Sequence, residues 1–362
     1  MTDRPPTVLM SGAGTGGHLY PGLALAEEIQ RRHPSSRVVF AGTGRGQEIR
    51  EVTSRGYEHR LVRSAGLKGK SARALLRGLA LLPLSMWDAR EVIARVAPDL
   101  VVGLGGYSAG AVVLAAAWRK IPTLVLEQNA IPGITNRLLA RFVTAAAVSH
   151  LVAAPYFRGK AFVSGNPVRV GFLTRASRME RRAHTHLVVA GGSQGAHAIN
   201  LAMMAAAPQF TTLGPRLVVT HQTGPKDCTE VRRVYAELGL RARVEPFIEK
   251  MVELIRDADV VVCRAGATTL AEVAAVGRPS VLVPFPGAAD GHQQANAEVF
   301  VRAGAAVLLP QSDLNGATLA ANVLALVCDE ERRHRMAASA QTLAKPDAAE
   351  VIVDRAEQMA GW

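Results

Sequence analysis

Gly12-Ala13-Gly14-Thr15-Gly16-Gly17-His18 follows the apolar run Thr7-Val8-Leu9-Met10 and precedes the helical pattern Gly22-Leu23-Ala24-Leu25-Ala26-Glu27-Glu28-Ile29. A strand that ends in glycines and opens into a helix brings backbone N–H groups and a positive helix end up to a phosphate, so this stretch predicts a βα unit with an anion site. It then departs from the nicotinamide-binding pattern. Such a unit places Asp or Glu about 20 residues further on, at the end of the second strand, to hold a ribose diol. The second strand here, Arg37-Val38-Val39-Phe40-Ala41-Gly42, ends without an acid. The loop carries His18 instead, a reactive group beside the expected anion. The competing reading is a tight turn with a histidine on the helix surface.

Working outward, apolar β-branched runs alternate with alanine-rich helical patterns. Residues 8–10, 38–41, 99–103, 123–126 and 145–149 read as strands of a parallel sheet. The rhythm breaks at Gly165-Asn166-Pro167-Val168-Arg169 and an arginine-rich stretch through Arg182, then resumes with strands at 187–190, 217–220, 244–247, 259–263, 280–283 and 306–309. The expected fold is therefore α/β, with two doubly wound Rossmann-like domains facing across a cleft. The first takes residues 1–166, the second 167–341. Ligands in such sheets bind outside the carboxyl ends of the strands.

The 362 residues allow both domains a core. Cys228, Cys263 and Cys328 are odd in number and far apart, which indicates neither a disulfide framework nor a zinc site and fits a reducing cytosol. Residues 1–6 lack a signal-peptide pattern, and no apolar run reaches the roughly 18 to 20 residues that span a bilayer. The formal charge of +12 is lopsided: residues 1–166 hold 21 Lys and Arg against 10 Asp and Glu, whereas residues 167–362 hold 21 against 20. No acid lies between Glu58 and Asp88, while Arg60, Arg63, Lys68, Lys70, Arg73 and Arg77 are basic. That segment suits an anionic membrane surface or a phosphorylated substrate, or is simply a solvated helix face. Nucleic acid is not expected, since aromatics are 5% of the chain and no DNA- or RNA-binding signature is present.

Further constellations follow in the second half. Gly191-Gly192-Ser193-Gln194-Gly195-Ala196 precedes a helical pattern and offers N–H groups and the Ser193 hydroxyl to a second phosphate face, or is a plain turn. In Cys263-Arg264-Ala265-Gly266-Ala267-Thr268-Thr269-Leu270-Ala271-Glu272 a strand end meets a helix start, with Glu272 expected in the first turn. Glu272 is then either the acceptor for a ribose diol or half of a Thr269–Glu272 capping box. Asp290, His292, Gln293 and Asn296 supply neutral donors and acceptors of the kind sugar hydroxyls need. Asp257-Ala258-Asp259 has the form of a metal-binding pair but leads into the run Val260-Val261-Val262, so its expected role is to end a helix and start a strand; no metal site and no cofactor are expected.

Together with Gly105-Gly106-Tyr107, Glu127-Gln128-Asn129 and His221-Gln222-Thr223-Gly224, these motifs, in this order, resemble the MurG family, the UDP-N-acetylglucosamine:undecaprenyl-pyrophosphoryl-MurNAc-pentapeptide transferases of peptidoglycan synthesis. The resemblance runs from about Val8 to Ala306. It implies the two-domain GT-B architecture, a final helix (about 342–362) returning to the first domain, and inverting transfer of GlcNAc from UDP-GlcNAc to the MurNAc 4-OH of lipid I. It places Ile248 at the uracil, Glu272 at the ribose, and Arg169, Ser193 and the N–H groups of Ala267, Thr268 and Thr269 at the diphosphate, with Leu270 and Ala271 also among the donor-binding residues. Asn129, His292 and Gln293 would meet the sugar, with Thr15, Gly16 and Gly17 on the first domain. His18 becomes the expected general base or acceptor-diphosphate contact, with Glu127 as the second choice. Two departures from the family pattern, His292 and Leu126 before Glu127, bear on the sugar contacts and remove one rival base. Peripheral attachment to the cytoplasmic face of the cell membrane is expected through Lys68, Lys70, Arg73, Leu75, Leu76, Arg77, Leu79, Leu82 and Trp87, with cell-wall synthesis proteins as partners. The rival readings are a UDP-sugar 2-epimerase, a glycosyltransferase with another lipid acceptor, and a non-catalytic membrane-surface scaffold.

Overall fold

A computed structural model describes residues 4–12, 16–44, 46–64, 81–173, 183–192 and 194–362. Each apolar run named above forms a parallel strand. In the first unit these are β1 (Thr7–Ser11), β2 (Arg37–Gly42), β4 (Leu100–Gly103), β5 (Thr123–Glu127) and β6 (Ala145–Val148), with two further strands, β3 (Glu58–Leu61) and β7 (Ala161–Val163). The second unit has β8 (Thr185–Ala190), β9 (Leu217–Gln222), β10 (Ala242–Glu245), β11 (Val260–Cys263), β12 (Ser280–Leu282) and β13 (Ala306–Leu308). β10 ends two residues before the expected 247, because Pro246 cannot donate to a ladder.

The sheet orders are β3-β2-β1-β4-β5-β6-β7 and β10-β9-β8-β11-β12-β13. Every pairing is parallel; Val8 sits between Val38 and Leu100, and Val188 between Thr220 and Val261. Parallel sheets are covered on both faces, which explains why their strands read as continuous apolar runs. In both sheets the chain winds one way from the first strand and then the other way from its neighbour. That reversal opens a crevice at the carboxyl ends of β1 and β4, and another at those of β8 and β11.

Contacts divide the chain into Met1–Arg169 with Lys345–Trp362, and Val170–Ala344. Both divisions fall three residues later than the sequence reading put them. Val168 is buried and the Arg169 guanidinium stacks 4.6 Å from the Tyr20 ring centroid, which keeps the Asn166-Pro167 corner with the first unit. The last helix, Ala348–Ala360, buries Ile352, Val353 and Ala356 in the core under helix Gly16–Arg32, Ile352 and Val353 each contributing about 1.5 to 3 kcal/mol. Arg32 adds ion pairs to Glu28 at 2.7 Å and Asp354 at 2.5 Å.

Candidate functional site

In the first unit the strand ends are tied together before any side chain acts. Leu104 N–H donates to the Ser11 carbonyl at 2.7 Å, and Gly12 N–H to the Ala41 carbonyl at 3.2 Å. Gly16, Gly17 and His18 form the opening turn of helix Gly16–Arg32, where N–H groups have no intrahelical acceptor and the helix end is positive. The His18 ring lies against Gly105, whose φ is 116° and where a Cβ would stand 2.7 Å from both Cε1 and Nδ1 of the imidazole. A side chain at 105 would displace the ring. His18 Nδ1 is 3.2 Å from Gln128 Oε1, and Gln128 Nε2 donates to the Leu104 carbonyl at 3.0 Å. Thr15 lies outside the described residues.

Glu127, at the end of β5, is buried. Its carboxylate accepts from Asn129 N–H (3.0 Å), Asn129 Nδ2 (3.2 Å), Gly133 N–H (3.1 Å) and Asn136 Nδ2 (2.9 Å). Burial raises its pKa above the usual carboxylate range against the pull of these donors. Both oxygens are engaged in holding the loop that carries Asn129.

The second unit repeats the plan with other groups. Gln194 and Gly195 interlock with Thr223 and Gly224; a Cβ on Gly195, whose φ is 76°, would collide with the Thr223 carbonyl. Gln222 Nε2 donates to the Gly192 carbonyl at 2.8 Å, while its Oε1 accepts the Ile248 N–H at 3.0 Å. Ile248 is buried, so its neighbour Phe247, half exposed after β10, is the aromatic surface offered there. Beneath the loop, His221 Nε2 faces Asn200 Oδ1 and Nδ1 faces the Tyr235 hydroxyl, both at 3.0 Å. Asn200 Nδ2 donates to the Thr223 carbonyl and to Asp227, which assigns Nε2 as the His221 donor. Burial pushes the His221 pKa down to about 3. Ser193 lies outside the described residues.

Helix Ala267–Ala275 begins after Gly266, which has extended φ/ψ of −69° and 135° and whose carbonyl accepts Leu270 N–H at 2.9 Å. This corrects the expected start. Thr269 is the third helical residue rather than the cap, and Glu272 is the sixth, in the second turn. The capping box is therefore absent, because the cap position falls on a glycine. Glu272, 5% exposed, lies one turn below the buried Thr268, on the same helix face. The opening N–H groups of Ala267, Thr268 and Thr269 have no intrahelical acceptor, and Leu270 and Ala271 follow within the helix.

Nearby, burial lowers the pKa of the Arg264 guanidinium, which donates to the Val283 and Pro284 carbonyls and lies 5.4 Å from the Phe285 ring centroid. Asp290 and Gly291 both take positive φ and turn the chain so that His292 and Gln293 open helix His292–Arg302. His292 Nδ1 donates to the Ala289 carbonyl at 2.6 Å; Gln293 Oε1 accepts Phe285 N–H at 2.9 Å, which leaves its Nε2 as the donor end.

Asp259 takes no part in these crevices. It accepts the His186 N–H at 2.7 Å at the amino ends of β8 and β11, as Asp99 accepts the Thr7 N–H at 2.9 Å beside β1 and β4. The same strand-joining device thus stands at the far edge of both sheets.

Helix Leu82–Val96 buries Ser85, Ala89, Val92, Ile93 and Val96 and exposes Leu82, Leu84 and Trp87, the last at 67%. Lys68, Lys70, Arg73, Leu75, Leu76, Arg77 and Leu79 lie outside the described residues. No helix among the described residues is long and apolar enough to cross a membrane.

Residues 8–148 match the glycosyltransferase family 28 N-terminal domain, and residues 186–352 its C-terminal domain. The chain is 46% identical over 349 residues to the UDP-N-acetylglucosamine--N-acetylmuramyl-(pentapeptide) pyrophosphoryl-undecaprenol N-acetylglucosamine transferase of an Anaeromyxobacter species, covering 96% of this chain and 92% of that one. Among solved structures it is similar to Acinetobacter baumannii MurG, with TM-score 0.78 and 30% identity over 98% of this chain and 100% of that one. A UDP-N-acetylglucosamine 2-epimerase superposes with TM-score 0.71 at 12% identity, covering 99% of this chain and 97% of that one, a likeness of fold alone.

Proposed function

The chain belongs to glycosyltransferase family 28, and from that premise we propose that it transfers GlcNAc from UDP-GlcNAc to the MurNAc 4-OH of undecaprenyl-pyrophosphoryl-MurNAc-pentapeptide, lipid I, in peptidoglycan synthesis. The observation that carries this is the 46% identity to the transferase of that name, which runs through both units of the GT-B fold and not through a nucleotide-binding half alone. The epimerase shares the fold at 12% identity, and the scaffold reading leaves His18 on Gln128 and the buried Glu272 without a purpose.

The proposed chemistry uses both crevices. Most donor contacts belong to the second unit: Glu272 accepts from the ribose diol, Phe247 and Ile248 meet the base, and the helix start at 267–269 faces the diphosphate with Ser193, while Arg169, the last residue of the first unit, adds its charge to the diphosphate. Asn129, His292 and Gln293 bind the sugar. The acceptor oxygen attacks C1 of GlcNAc from the side opposite UDP, forming the new C–O bond while the bond from C1 to the diphosphate oxygen breaks. UDP leaves with that electron pair. The hydroxyl proton passes to His18 Nε2. Glu127, with both oxygens engaged, holds the Asn129 loop in place. Charge on the leaving diphosphate is met by Arg169, the Ser193 hydroxyl and oriented N–H groups, so the chemical step needs no divalent metal.

The acceptor's polyprenyl tail stays in the bilayer, so the enzyme works at the cytoplasmic membrane surface. Support comes from the exposed Leu82, Leu84 and Trp87, which follow Lys68, Lys70, Arg73 and Arg77 in the same acid-free stretch of sequence. Purified protein given UDP-GlcNAc and a short-chain lipid I analogue is expected to release UDP and form the β-1,4 disaccharide, with most activity kept in EDTA. Absence of disaccharide overturns the assignment. Loss of turnover in EDTA that Mg²⁺ or Mn²⁺ restores overturns the metal-free step.

A further inference from the structure

Gln128 has no role in the chemistry above, yet the residue is 2% exposed and its amide is bonded at both ends. Its orientation is settled by chemistry. The Leu104 backbone carbonyl only accepts, so the group 3.0 Å from it is the amide NH₂. The oxygen therefore faces His18 Nδ1, at 3.2 Å. An amide oxygen only accepts as well, so Nδ1 carries the hydrogen. A neutral imidazole has one N–H, which makes Nε2 the ring's lone-pair nitrogen. Gly105, lacking a side chain, lets the ring lie against the backbone in the orientation this bond requires.

We propose that Gln128 is the positioning residue for His18: anchored on the Leu104 carbonyl, it holds the imidazole as the Nδ1–H tautomer so that Nε2 receives the acceptor's proton. The inference rests on His18 as the base. A carboxylate does the same work in serine-protease triads, where the wrong tautomer costs turnover heavily. An amide fixes the tautomer without placing a charge beside the ring. When Nε2 takes the proton, the same Oε1 keeps the Nδ1–H bond of the imidazolium, so no partner has to move during transfer.

Long-range ¹H–¹⁵N correlation on the full-length, histidine-labelled protein reads the tautomer directly, with the His18 signal identified by its loss in His18→Ala. The expected wild-type pattern is Nδ1–H; an Nε2–H pattern overturns the proposal without any Gln128 variant having to fold. Gln128→Met, similar in length but without the amide, is expected to populate the Nε2–H form and to lower kcat about 10- to 100-fold, with KM for UDP-GlcNAc within twofold. Unchanged tautomer and kcat in Gln128→Met, alongside collapse of kcat in His18→Ala, overturn the positioning role alone. Near-normal turnover in His18→Ala overturns the base and this inference together.

Discussion

In the first unit a buried glutamine, Gln128, joins the Leu104 carbonyl to an imidazole; in the second, Gln222 joins the Gly192 carbonyl to the backbone N–H of Ile248. Both amides sit at the carboxyl end of a parallel sheet, beside a glycine turn that opens a helix. What they hold differs. One end point is the His18 imidazole, the proposed proton acceptor, and the other is main chain. On the proposed reading the first unit's crevice serves chiefly the proton transfer and the second unit's crevice chiefly the binding of the donor. Charge follows this division, since the first 166 residues carry almost all of the basic excess.

The largest effect that tests this division is on turnover. His18→Ala is expected to lower kcat by about 10² to 10⁴, the usual contribution of a positioned base, and to leave KM for UDP-GlcNAc within a few-fold. Turnover close to wild type places the proton transfer elsewhere. Next comes the membrane. Replacing Lys68, Lys70, Arg73 and Arg77 with Gln removes about 1 kcal/mol of attraction per residue near anionic headgroups, so sedimentation with anionic vesicles should weaken by about 10²- to 10³-fold at low salt. Donor affinity should not change; equal sedimentation of variant and wild type removes this segment as the docking surface. Glu272→Gln keeps the shape of the side chain and weakens charge-assisted bonds to a diol by about 1.5 to 3 kcal/mol. Its KM for UDP-GlcNAc should rise about 10- to 100-fold, with little change in Tm. A lower Tm with unchanged KM assigns Glu272 to helix stability instead.

The smallest effect concerns the scaffold under the second loop. His221 is neutral in the fold with its pKa pushed down to about 3, against 6.5 when unfolded. Between those values the unfolded chain binds the extra proton, so this group's stabilisation is complete above pH 6.5 and lost as pH falls toward 3. The slope is at most about 1.4 kcal/mol per pH unit. Denaturant unfolding followed from pH 7 to 4 should show this loss, and His221→Gln should flatten it. An unchanged slope means other groups set the acid limit.

Much of this was legible before the structure, for local reasons. Runs such as Val260-Val261-Val262 are buried on both sheet faces and advertise themselves as strands; β3, Glu-His-Arg-Leu at an edge with its last two residues exposed, does not. β7, three residues long and half-exposed at the other edge, was likewise silent. Glu272 stood out by its spacing from the preceding strand. Its register did not, because Thr269-x-x-Glu272 satisfies the capping pattern while Gly266, which has no side chain to mark it, takes the cap. In the sequence Gln128 and Gln222 stand only as members of longer motifs. Their partners lie 110 and 24 residues away for the first, 30 and 26 for the second, so only the folded sheet brings each amide to its two bonds. Phe247 and Arg264 are silent likewise, since exposure and burial at a strand end carry no sequence mark.

Titration of UDP into His18→Ala and Glu272→Gln, with no acceptor and no turnover, bears most directly on the division between a catalytic and a binding unit. The account predicts wild-type Kd for His18→Ala and a Kd raised about tenfold or more for Glu272→Gln. Weakened UDP binding in His18→Ala with wild-type binding in Glu272→Gln would contradict it.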